Sequence, residues 1–302
     1  MTRSGFVAVA GRPNVGKSTL VNALVGAKVA VTSDKPQTTR RAIRGIATGA
    51  SEGEAWQLVL VDLPGVQSPK DVLTERMQRR VEHELGQSDV ALFVLNGAER
   101  SGGGDRFIAQ ALAKAKLPVV VAVNKVDVMS RSQTAEALVQ AAGLEDAGVD
   151  VCEIVPVSAL KGSQVGVLRD VLAGLLPEGP FYFPAGQYSD QPLEIALAEL
   201  VREQALKRTR KEVPHSIEVH VEELERREDG LTVVRAVLWA DTESQKGILI
   251  GAGGRMVRDI GSGARKEIER ELGTRAHLDL TVKVRRHWRR DEGLLDRLGI
   301  DA

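Results

Sequence analysis

Short apolar runs alternate with longer stretches of helical periodicity over the first 176 residues of the chain. Several of these runs are nearly continuous in Val, Leu, Ile and Ala, which is typical of parallel strands that are covered on both faces. The alternation predicts a doubly wound, mostly parallel α/β sheet. The predicted strands cover 6–10, 57–61, 89–95, 118–123 and 152–156, and the predicted helices cover 17–26, 72–86, 104–115, 133–142 and 164–176.

The pattern changes after residue 176. Residues 177–192 hold 4 of the 11 prolines, which block both helix and sheet, so this segment is predicted to link a first domain, 1–176, to a second. Beyond it, consecutive strands followed by helices predict a small α+β domain over 193–302. Its predicted elements are helices at 193–211, 243–249 and 255–272 and strands at 216–221, 231–239 and 276–284.

The whole chain is electrically balanced, with 41 Lys and Arg residues against 41 Asp and Glu residues. Any surface for a polyanion must therefore come from local asymmetry. The one cysteine, Cys152, cannot form an internal disulfide, and no apolar run approaches the roughly 20 residues of a membrane helix. Since the start of the chain also lacks a signal-peptide pattern, these features predict a cytoplasmic protein.

A phosphate-binding motif lies between the first predicted strand and the first predicted helix. The sequence GRPNVGKS matches the pattern G-x-x-x-x-G-K-[ST] in the strand–helix context that this motif requires. Its glycines let backbone N–H groups surround the phosphates, and Lys17 can reach the β- and γ-phosphates. The expected nucleotide contacts here are Gly11, Arg12, Pro13, Asn14, Val15, Gly16, Lys17, Ser18 and Thr19.

Three residues are candidate ligands of a Mg²⁺ ion. Ser18 supplies a hydroxyl from the phosphate-binding motif. Asp62 follows a predicted strand and begins the sequence DLPG, in which the backbone N–H of Gly65 is expected to meet the γ-phosphate. Between these motifs lies PQTTR, a predicted exposed polar segment in which Thr39 is favoured over Thr38 as a ligand that binds Mg²⁺ only when the γ-phosphate is present. A simple surface loop is the alternative for this segment.

A third motif predicts which base is bound. The sequence NKVD follows the strand predicted at 118–123. A carboxylate at Asp127 accepts hydrogen bonds from the N1–H and the exocyclic amine of guanine, whereas adenine would leave it unpaired. Lys125 is expected to lie along the base, and Asn124 to tie this loop to the phosphate loop. The sequence SALK, after the next strand, adds Ser158, Ala159 and Leu160 to the expected base contacts.

The residue after Gly65 is Val66, where many GTPases place a glutamine that orients the attacking water. Valine cannot orient water, so we expect slow intrinsic hydrolysis or placement of the water by another group. Asn14 is a candidate ligand for K⁺, since its side-chain carbonyl can hold a monovalent cation beside the phosphates. A structural hydrogen bond from Asn14 is the alternative. The candidate catalytic residues are Asn14, Lys17, Thr39 and Gly65.

A glycine turn in the second domain predicts an RNA site. The sequence GAGG lies between two predicted helices, as does the G-x-x-G turn that clamps the RNA backbone in K-homology domains. Residues 244–290 carry 12 Lys and Arg against 5 Asp and Glu, whereas residues 184–243 carry 8 against 13. The expected RNA contacts are Lys246, Ile248, Ile250, Gly251, Ala252, Gly253, Gly254, Arg255, Arg258, Arg265 and Lys266.

These motifs resemble one family over essentially the whole chain, the Era family of bacterial ribosome-assembly GTPases. The resemblance rests on GRPNVGKST, PQTTR, DLPG, NKVD and SALKG, followed by QKGILIGAGGRMVRDIG, ARKEIERELG and LDLTVKVRRHWR. It implies a Ras-like P-loop GTPase domain that hydrolyses GTP to GDP with Mg²⁺, followed by a type II K-homology domain. It also implies binding near the 3′ end of 16S rRNA, a role in 30S subunit maturation and peripheral contact with the inner membrane. The chain is expected to be monomeric.

Two residues depart from the pattern of the family. The family often has Lys where Ala252 stands, so one phosphate contact is expected to be missing. The more usual DTPG is DLPG here, which is not expected to affect Asp62 or Gly65. The PNVGKS sequence also resembles the phosphate loops of GTPases that use K⁺.

Two other functions fit part of the sequence. A GTPase of tRNA modification also carries TTR and D-x-P-G motifs, but it is expected to have a catalytic cysteine near its C-terminus, where this chain has LGIDA. An RNA-binding module with a purely structural nucleotide site is disfavoured by the intact Lys17, Ser18, Thr39, Asp62 and Asp127. Phosphate release in the presence of RNA distinguishes this module from a GTPase.

Overall fold

The computed structural model describes residues 2–33, 35, 39–51, 53–65, 71–210 and 213–300. Within these ranges the chain forms nine strands and ten α-helices, and the strands build two sheets. The strands are β1 (Thr2–Ala10), β2 (Ile43–Ser51), β3 (Glu54–Asp62), β4 (Val90–Asn96), β5 (Val119–Asn124), β6 (Val151–Pro156), β7 (Glu218–Arg226), β8 (Thr232–Ala240) and β9 (Ala276–Val284). The helices are α1 (Lys17–Val25), α2 (Val72–Gln87), α3 (Gly103–Ala115), α4 (Arg131–Ala142), α5 (Val165–Leu175), α6 (Leu193–Arg208), α7 (Val213–Ser216), α8 (Glu243–Ile250), α9 (Arg255–Leu272) and α10 (Glu292–Arg297).

The first sheet has the order β2-β3-β1-β4-β5-β6, in which β2 runs antiparallel to β3 and the other neighbours pair in parallel. Apolar side chains of α1 and α5 cover one face, and those of α2, α3 and α4 cover the other. Burial on both faces explains the nearly continuous apolar strands. The predicted doubly wound, mostly parallel sheet is confirmed. Its parallel strands end at one edge, where such sheets bind their ligands.

Strand β2 is an addition to the predicted elements. Its sequence IRGIATGAS contains two glycines, which weaken the strand signal. The strand forms because β3 offers it a complete partner edge. Ile43 pairs with Asp62, and Gly49 lies against Trp56, where a Cβ would stand 2.4 Å from the indole ring. This register brings the residues that precede β2 to the carboxyl end of β3.

The second sheet has the order β7-β8-β9, with β7 antiparallel and β9 parallel to β8. Helices α6, α8 and α9 pack on it around a core that includes Val201, Leu238 and Ile260. The α+β fold expected for a K-homology domain is thereby confirmed. The short helices α7 and α10 are additions to the predicted elements, because neither is long enough to show a helical period in the sequence.

The two domains are in direct contact. Leu73 and Met77 of α2 pack against Trp288, Leu295 and neighbouring apolar side chains of the second domain. Residues 177–192 run along the first sheet before α6 begins, and their backbone pairs with that of β2. Among the helices that the structure describes, none is long and apolar enough to cross a membrane.

Candidate functional site

The loop between β1 and α1 is shaped as a phosphate-binding turn. Gly16 has a φ of 101°, and a Cβ at this position would stand 2.4 Å from the side-chain nitrogen of Asn124, so glycine is required. Lys17 is buried, and its Nζ donates to the carbonyl oxygens of Gly11 at 2.9 Å and Arg12 at 3.1 Å. An ammonium group has three N–H donors, so one is left for a phosphate oxygen.

Three oxygen-bearing side chains converge beside this loop. The hydroxyls of Ser18 and Thr39 donate to Asp62 Oδ2 at 2.6 Å and 3.2 Å, and the two hydroxyl oxygens lie 3.1 Å apart. The other carboxylate oxygen, Asp62 Oδ1, is buried and accepts no hydrogen bond within the described part of the chain. Hydroxyl and carboxylate oxygens are ligands that Mg²⁺ prefers, so this set fits a magnesium ion.

Burial shifts the pKa of both charged groups at this point. Desolvation lowers the pKa of Lys17 to about 8, against the opposing effect of Asp62. Desolvation also raises the pKa of Asp62, although Lys17, Ser18 and Thr39 favour its ionised form. A phosphate beside the ammonium and a cation beside the carboxylate would oppose these two shifts. The electrostatics of the site therefore favour an anion bound next to a cation.

The loops that follow β5 and β6 meet at the other end of the site. Asn124 Nδ2 donates to the carbonyl oxygen of Val15 at 2.8 Å, and Asn124 Oδ1 accepts from the backbone N–H of Ala159 at 3.0 Å. The hydroxyl of Ser158 donates to Asp127 Oδ1 at 2.6 Å and so orients that carboxylate. A fixed carboxylate beside exposed backbone is suited to a base with adjacent N–H donors, as guanine has.

Lys125 joins the two halves of the site. It has a φ of 71°, and its Nζ donates to the carbonyl oxygen of Asn14 at 2.9 Å. Leu160 and Val128 lie at the rim with side chains that are 75% and 67% exposed. A bound base or ribose would cover these apolar side chains, which gives them a reason to face solvent.

One cavity of about 370 Å³ connects these groups. The sequence-predicted residues that line it are Pro13, Asn14, Gly16, Lys17, Ser18, Thr19, Thr39, Gly65, Asn124, Lys125, Asp127, Ala159 and Leu160. It is also lined by residues that the motifs do not identify, namely Val31, Thr32, Ser33, Lys35 and Val128. The first four of these lie just before the PQTTR sequence. Their position next to that motif is the one feature of the sequence that could have identified these four residues.

The side chain of Arg12 turns away from the cavity. Its Nε lies 2.8 Å from Asp105 Oδ1, and its Nη2 lies 3.1 Å from Glu99 Oε2. These ion pairs fasten the phosphate loop to the start of α3. The nucleotide contact expected of Arg12 is therefore limited to its backbone.

The segment before β2 is predicted to be exposed, and for its last residues this is wrong. Thr39 is 8% exposed and Arg40 is 2% exposed. Thr39 is buried because it packs beside Asp62, and Arg40 because its guanidinium enters the second domain, where Nη1 lies 2.7 Å from Glu218 Oε2. Thr39 and Arg40 are therefore held between the two domains.

Two expectations about hydrolysis fall on residues that lie outside the described ranges, Thr38 as the alternative metal ligand and Val66 as the missing glutamine. Asn14, in contrast, lines the cavity with a φ of 64°, a left-handed conformation that asparagine adopts more readily than most residues. Its role as a K⁺ ligand stays a prediction.

The glycine turn of the second domain lies between α8 and α9, as predicted. Gly251, Gly253 and Gly254 have φ values of 70°, 58° and 75°, conformations that residues with a Cβ disfavour. A Cβ built on Gly253 would meet no described atom within 4 Å. Arg258 Nη2 donates to the Gly253 carbonyl oxygen at 2.8 Å. The turn is thus braced by α9 from within and open on its outer side.

Basic residues continue from this turn along α9. Arg255, Arg258, Arg265 and Lys266 are exposed, and their spacing places them within about 100° of one another around the helix. The face is long, because Arg265 lies about 15 Å beyond Arg255 at 1.5 Å per residue. Arg265 also pairs with Glu269 at 3.1 Å. A polyanion would have to follow α9 to meet all four.

Helix α8 supplies the apolar side of this region. Ile248 is 48% exposed and Ile250 is half-buried, so both present apolar surface next to the turn. The ammonium of Lys246 lies 3.8 Å from the carboxylate of Glu243, and Ala252 is exposed within the turn itself. Most of the predicted RNA contacts therefore lie together around the glycine turn. Arg265 and Lys266 lie farther along α9, away from this turn.

Comparisons with known proteins match two family models to separate parts of the chain. The family model described as "50S ribosome-binding GTPase" matches residues 6–125, and the model described as "KH domain" matches residues 212–289. GTPase Era of Nocardioides sp. is 48% identical over 304 residues, covering 98% of this chain and 96% of the relative.

Solved structures match over the full length as well. The crystal structure of an Aquifex aeolicus Era variant bound to GDP·AlF4⁻ has a TM-score of 0.93 at 35% identity, covering 99% of this chain and 100% of that chain. The crystal structure of Era in complex with MgGDPNP and nucleotides 1506–1542 of 16S ribosomal RNA has a TM-score of 0.93 at 36% identity, covering 100% of both chains. A full-length match of this kind favours Era over a GTPase of tRNA modification. The chain belongs to the Era family of GTPases.

Proposed function

We propose that this GTPase is a nucleotide-controlled switch that binds the 3′ region of 16S rRNA and acts in maturation of the 30S subunit. The observation that carries the proposal is the presence, in one chain, of a guanine-nucleotide cavity and a glycine turn flanked by a basic helix face. The full-length likeness to Era in complex with MgGDPNP and 16S rRNA nucleotides supports it. The proposal also includes that the protein is monomeric and cytoplasmic, with a fraction bound peripherally to the inner membrane.

The nucleotide is held by groups that the fold places along the edge of the first sheet. Lys17 and the backbone N–H groups at the start of α1 bind the β- and γ-phosphates. Gly65 offers its backbone N–H to the γ-phosphate, and Asp127, oriented by Ser158, selects guanine. Because hydrogen bonds within the chain orient Lys17 and Asp127, little reorganisation of these two side chains is needed in the transition state.

Mg²⁺ is the cofactor that the site fits. Ser18, Thr39 and Asp62 would hold it, and the buried Asp62 Oδ1, which has no hydrogen-bond partner among the described residues, is the atom that most needs such a partner. When bound, Mg²⁺ neutralises negative charge on the phosphate oxygens. The chain contributes by keeping the two hydroxyls and the carboxylate within one cluster.

Lys17→Ala tests the nucleotide half of this proposal. We expect GTP affinity or hydrolysis to fall by about 10–100-fold, because a charge-assisted hydrogen bond contributes about 1.5–3 kcal/mol. RNA binding by the full-length variant without nucleotide, measured by fluorescence anisotropy, should equal that of the wild type. Lys114→Ala, which removes an exposed lysine of α3, is the control. Hydrolysis and GTP affinity equal to those of the wild type would mean that Lys17 does not contact the phosphates.

A second prediction concerns the cation at Asn14. Negative charge spreads over the phosphoryl oxygens in the transition state, so a K⁺ ion held by this side chain should lower the barrier. We expect turnover in K⁺ to exceed that in Na⁺ at equal ionic strength by about tenfold, which corresponds to about 1.4 kcal/mol. Asn14→Ala should abolish the difference. Equal rates in both salts, with and without RNA, would assign the missing positive charge to another partner.

A further inference from the structure

The side chains of two consecutive arginines reach from the metal-binding cluster into the second domain. Thr39 reaches Asp62 with its hydroxyl, and the next two residues, Arg40 and Arg41, are only 2% and 8% exposed. Neither guanidinium lines the nucleotide cavity. Both are buried among residues of the second domain. Residues 39–41 therefore connect the metal-binding cluster of the first domain to the second domain.

Arg40 is held by several groups of that domain. Its Nη1 donates to Glu218 Oε2 at 2.7 Å and to the carbonyl oxygen of Ile217 at 2.6 Å, and its guanidinium carbon lies 5.3 Å from the centre of a Trp288 ring. Desolvation lowers the pKa of Arg40 to about 10 despite the opposing effect of Glu218, so the group stays charged near neutral pH. A charged, buried guanidinium with this many partners has little freedom to move.

Arg41 is held in the same way by neighbouring groups. Its Nη1 lies 2.5 Å from Glu199 Oε1, its Nε donates to the carbonyl oxygen of Leu298 at 2.6 Å, and its Nη2 lies 3.5 Å from Glu218. Arg202 of α6 pairs with both carboxylates. Although burial alone would raise it, the surrounding arginines hold the pKa of Glu218 at about 2.

Attachment of the domains does not depend on these two arginines alone. Arg76 of α2 pairs with Asp296 at 2.6 Å, and Asp71 pairs with Arg289 at 2.7 Å. Apolar packing of α2 against the second domain adds to these contacts. Arg40 and Arg41 differ from these residues because they directly follow Thr39 in the chain, and consecutive Cα atoms are only 3.8 Å apart. Fixing both guanidinium groups restricts where the Thr39 hydroxyl can lie.

We propose that the second domain positions the metal-binding threonine: Arg40 and Arg41, through Glu218 and Glu199, hold Thr39 beside Ser18 and Asp62. Hydrolysis of GTP in the first domain then depends on a contact with the second. The two arginines are positioning residues, because they act on the reaction only through Thr39. This inference rests on the metal-ligand set of the proposed function.

Arg40→Met in the full-length protein tests the proposal. We expect kcat for GTP to fall by about 10–100-fold, since small displacements of groups that position reactants have effects of this size. The Mg²⁺ concentration for half-maximal activity should rise, while GDP affinity stays within about twofold of the wild type, so the loss appears in kcat rather than in nucleotide binding. Asp296→Asn, which breaks a different interdomain ion pair, is the control and should leave both quantities unchanged.

A double-mutant cycle with Thr39→Ala separates positioning from a structural role. If Arg40 acts through Thr39, Arg40→Met should change kcat by less than about twofold in the Thr39→Ala background. Additive losses of kcat would overturn the inference. If Arg40→Met does not fold, as judged by circular dichroism, Glu218→Gln replaces it in the same cycle, since it removes the charge partner with almost no change of shape.

The same measurements distinguish this inference from the proposed function beneath it. If Thr39→Ala alone leaves kcat and the Mg²⁺ dependence unchanged, the metal-ligand set is wrong and the inference falls with it. If Thr39→Ala lowers kcat but Arg40→Met matches the wild type, the metal set stands and only the inference is overturned.

Discussion

Asp127→Asn should convert the preferred nucleotide of this protein from GTP to XTP. Two hydrogen bonds to guanine depend on the carboxylate, and leaving such groups unpaired costs about 1–3 kcal/mol each, so GTP affinity should fall by about 10²–10⁴-fold. The affinity for XTP should rise, because an amide can donate to the xanthine carbonyl that replaces the amine of guanine. The hydroxyl of Ser158, 2.6 Å from Asp127 Oδ1, can still donate to an amide oxygen at that position and leave the NH₂ group facing the base.

The measurement is a competition between GTP and XTP for binding, followed by hydrolysis of each nucleotide alone. Asp146→Asn provides the matched control, since it makes the same chemical change at an exposed position outside the cavity. Retention of GTP preference by Asp127→Asn would mean that another group reads the base.

Gly253→Asp should block RNA binding. The turn is open on its outer side at Gly253, so a carboxylate there would face the phosphates that the turn is expected to clamp. Repulsion between like charges across an interface amounts to several kcal/mol, which corresponds to a loss of about 10²-fold or more. GTP hydrolysis without RNA should stay within about twofold of the wild type, because the glycine turn takes no part in the nucleotide cavity.

Gly253→Asn separates charge from backbone strain in this experiment. Gly253 has a φ of 58°, a conformation that asparagine and aspartate tolerate better than other residues with a Cβ, so the two substitutions should strain the turn equally. Affinity for a 16S rRNA 3′ fragment would be measured over a salt series, where electrostatic repulsion is screened as salt rises. Equal affinities for the two variants would show that no phosphate passes close to this position.

The nucleotide site can be predicted from the sequence because its chemistry is local. Lys17, Asp62 and Asp127 stand within motifs that directly follow apolar strands, and parallel strands end at one edge of a sheet. The motifs therefore specify both the residue types and their meeting point. Strand β2 could not be predicted because it does not depend on local sequence alone. Its glycines give little indication of a strand, and it forms by pairing with the edge of β3.

The interdomain arginines cannot be predicted in this way. Arg40 and Arg41 follow a run of polar residues, which by itself indicates a solvated loop. Their carboxylate partners, Glu218 and Glu199, lie 178 and 158 residues further along the chain. Only the packing of one domain against the other makes these charges complementary, and no periodicity or short motif contains that information.

The acidic residues that receive the two arginines also determine which domains can be joined in one chain. An RNA-binding module transplanted onto the first domain could fold by itself, yet without carboxylates at the positions of Glu199 and Glu218 it would leave Arg40 and Arg41 buried without partners. An uncompensated buried charge costs about 3–5 kcal/mol, a large part of the 5–15 kcal/mol that stabilises a typical domain. Chimeras between such modules would have to carry the acidic pair along with the RNA-binding surface, so the two domains of this protein are electrostatically matched to each other.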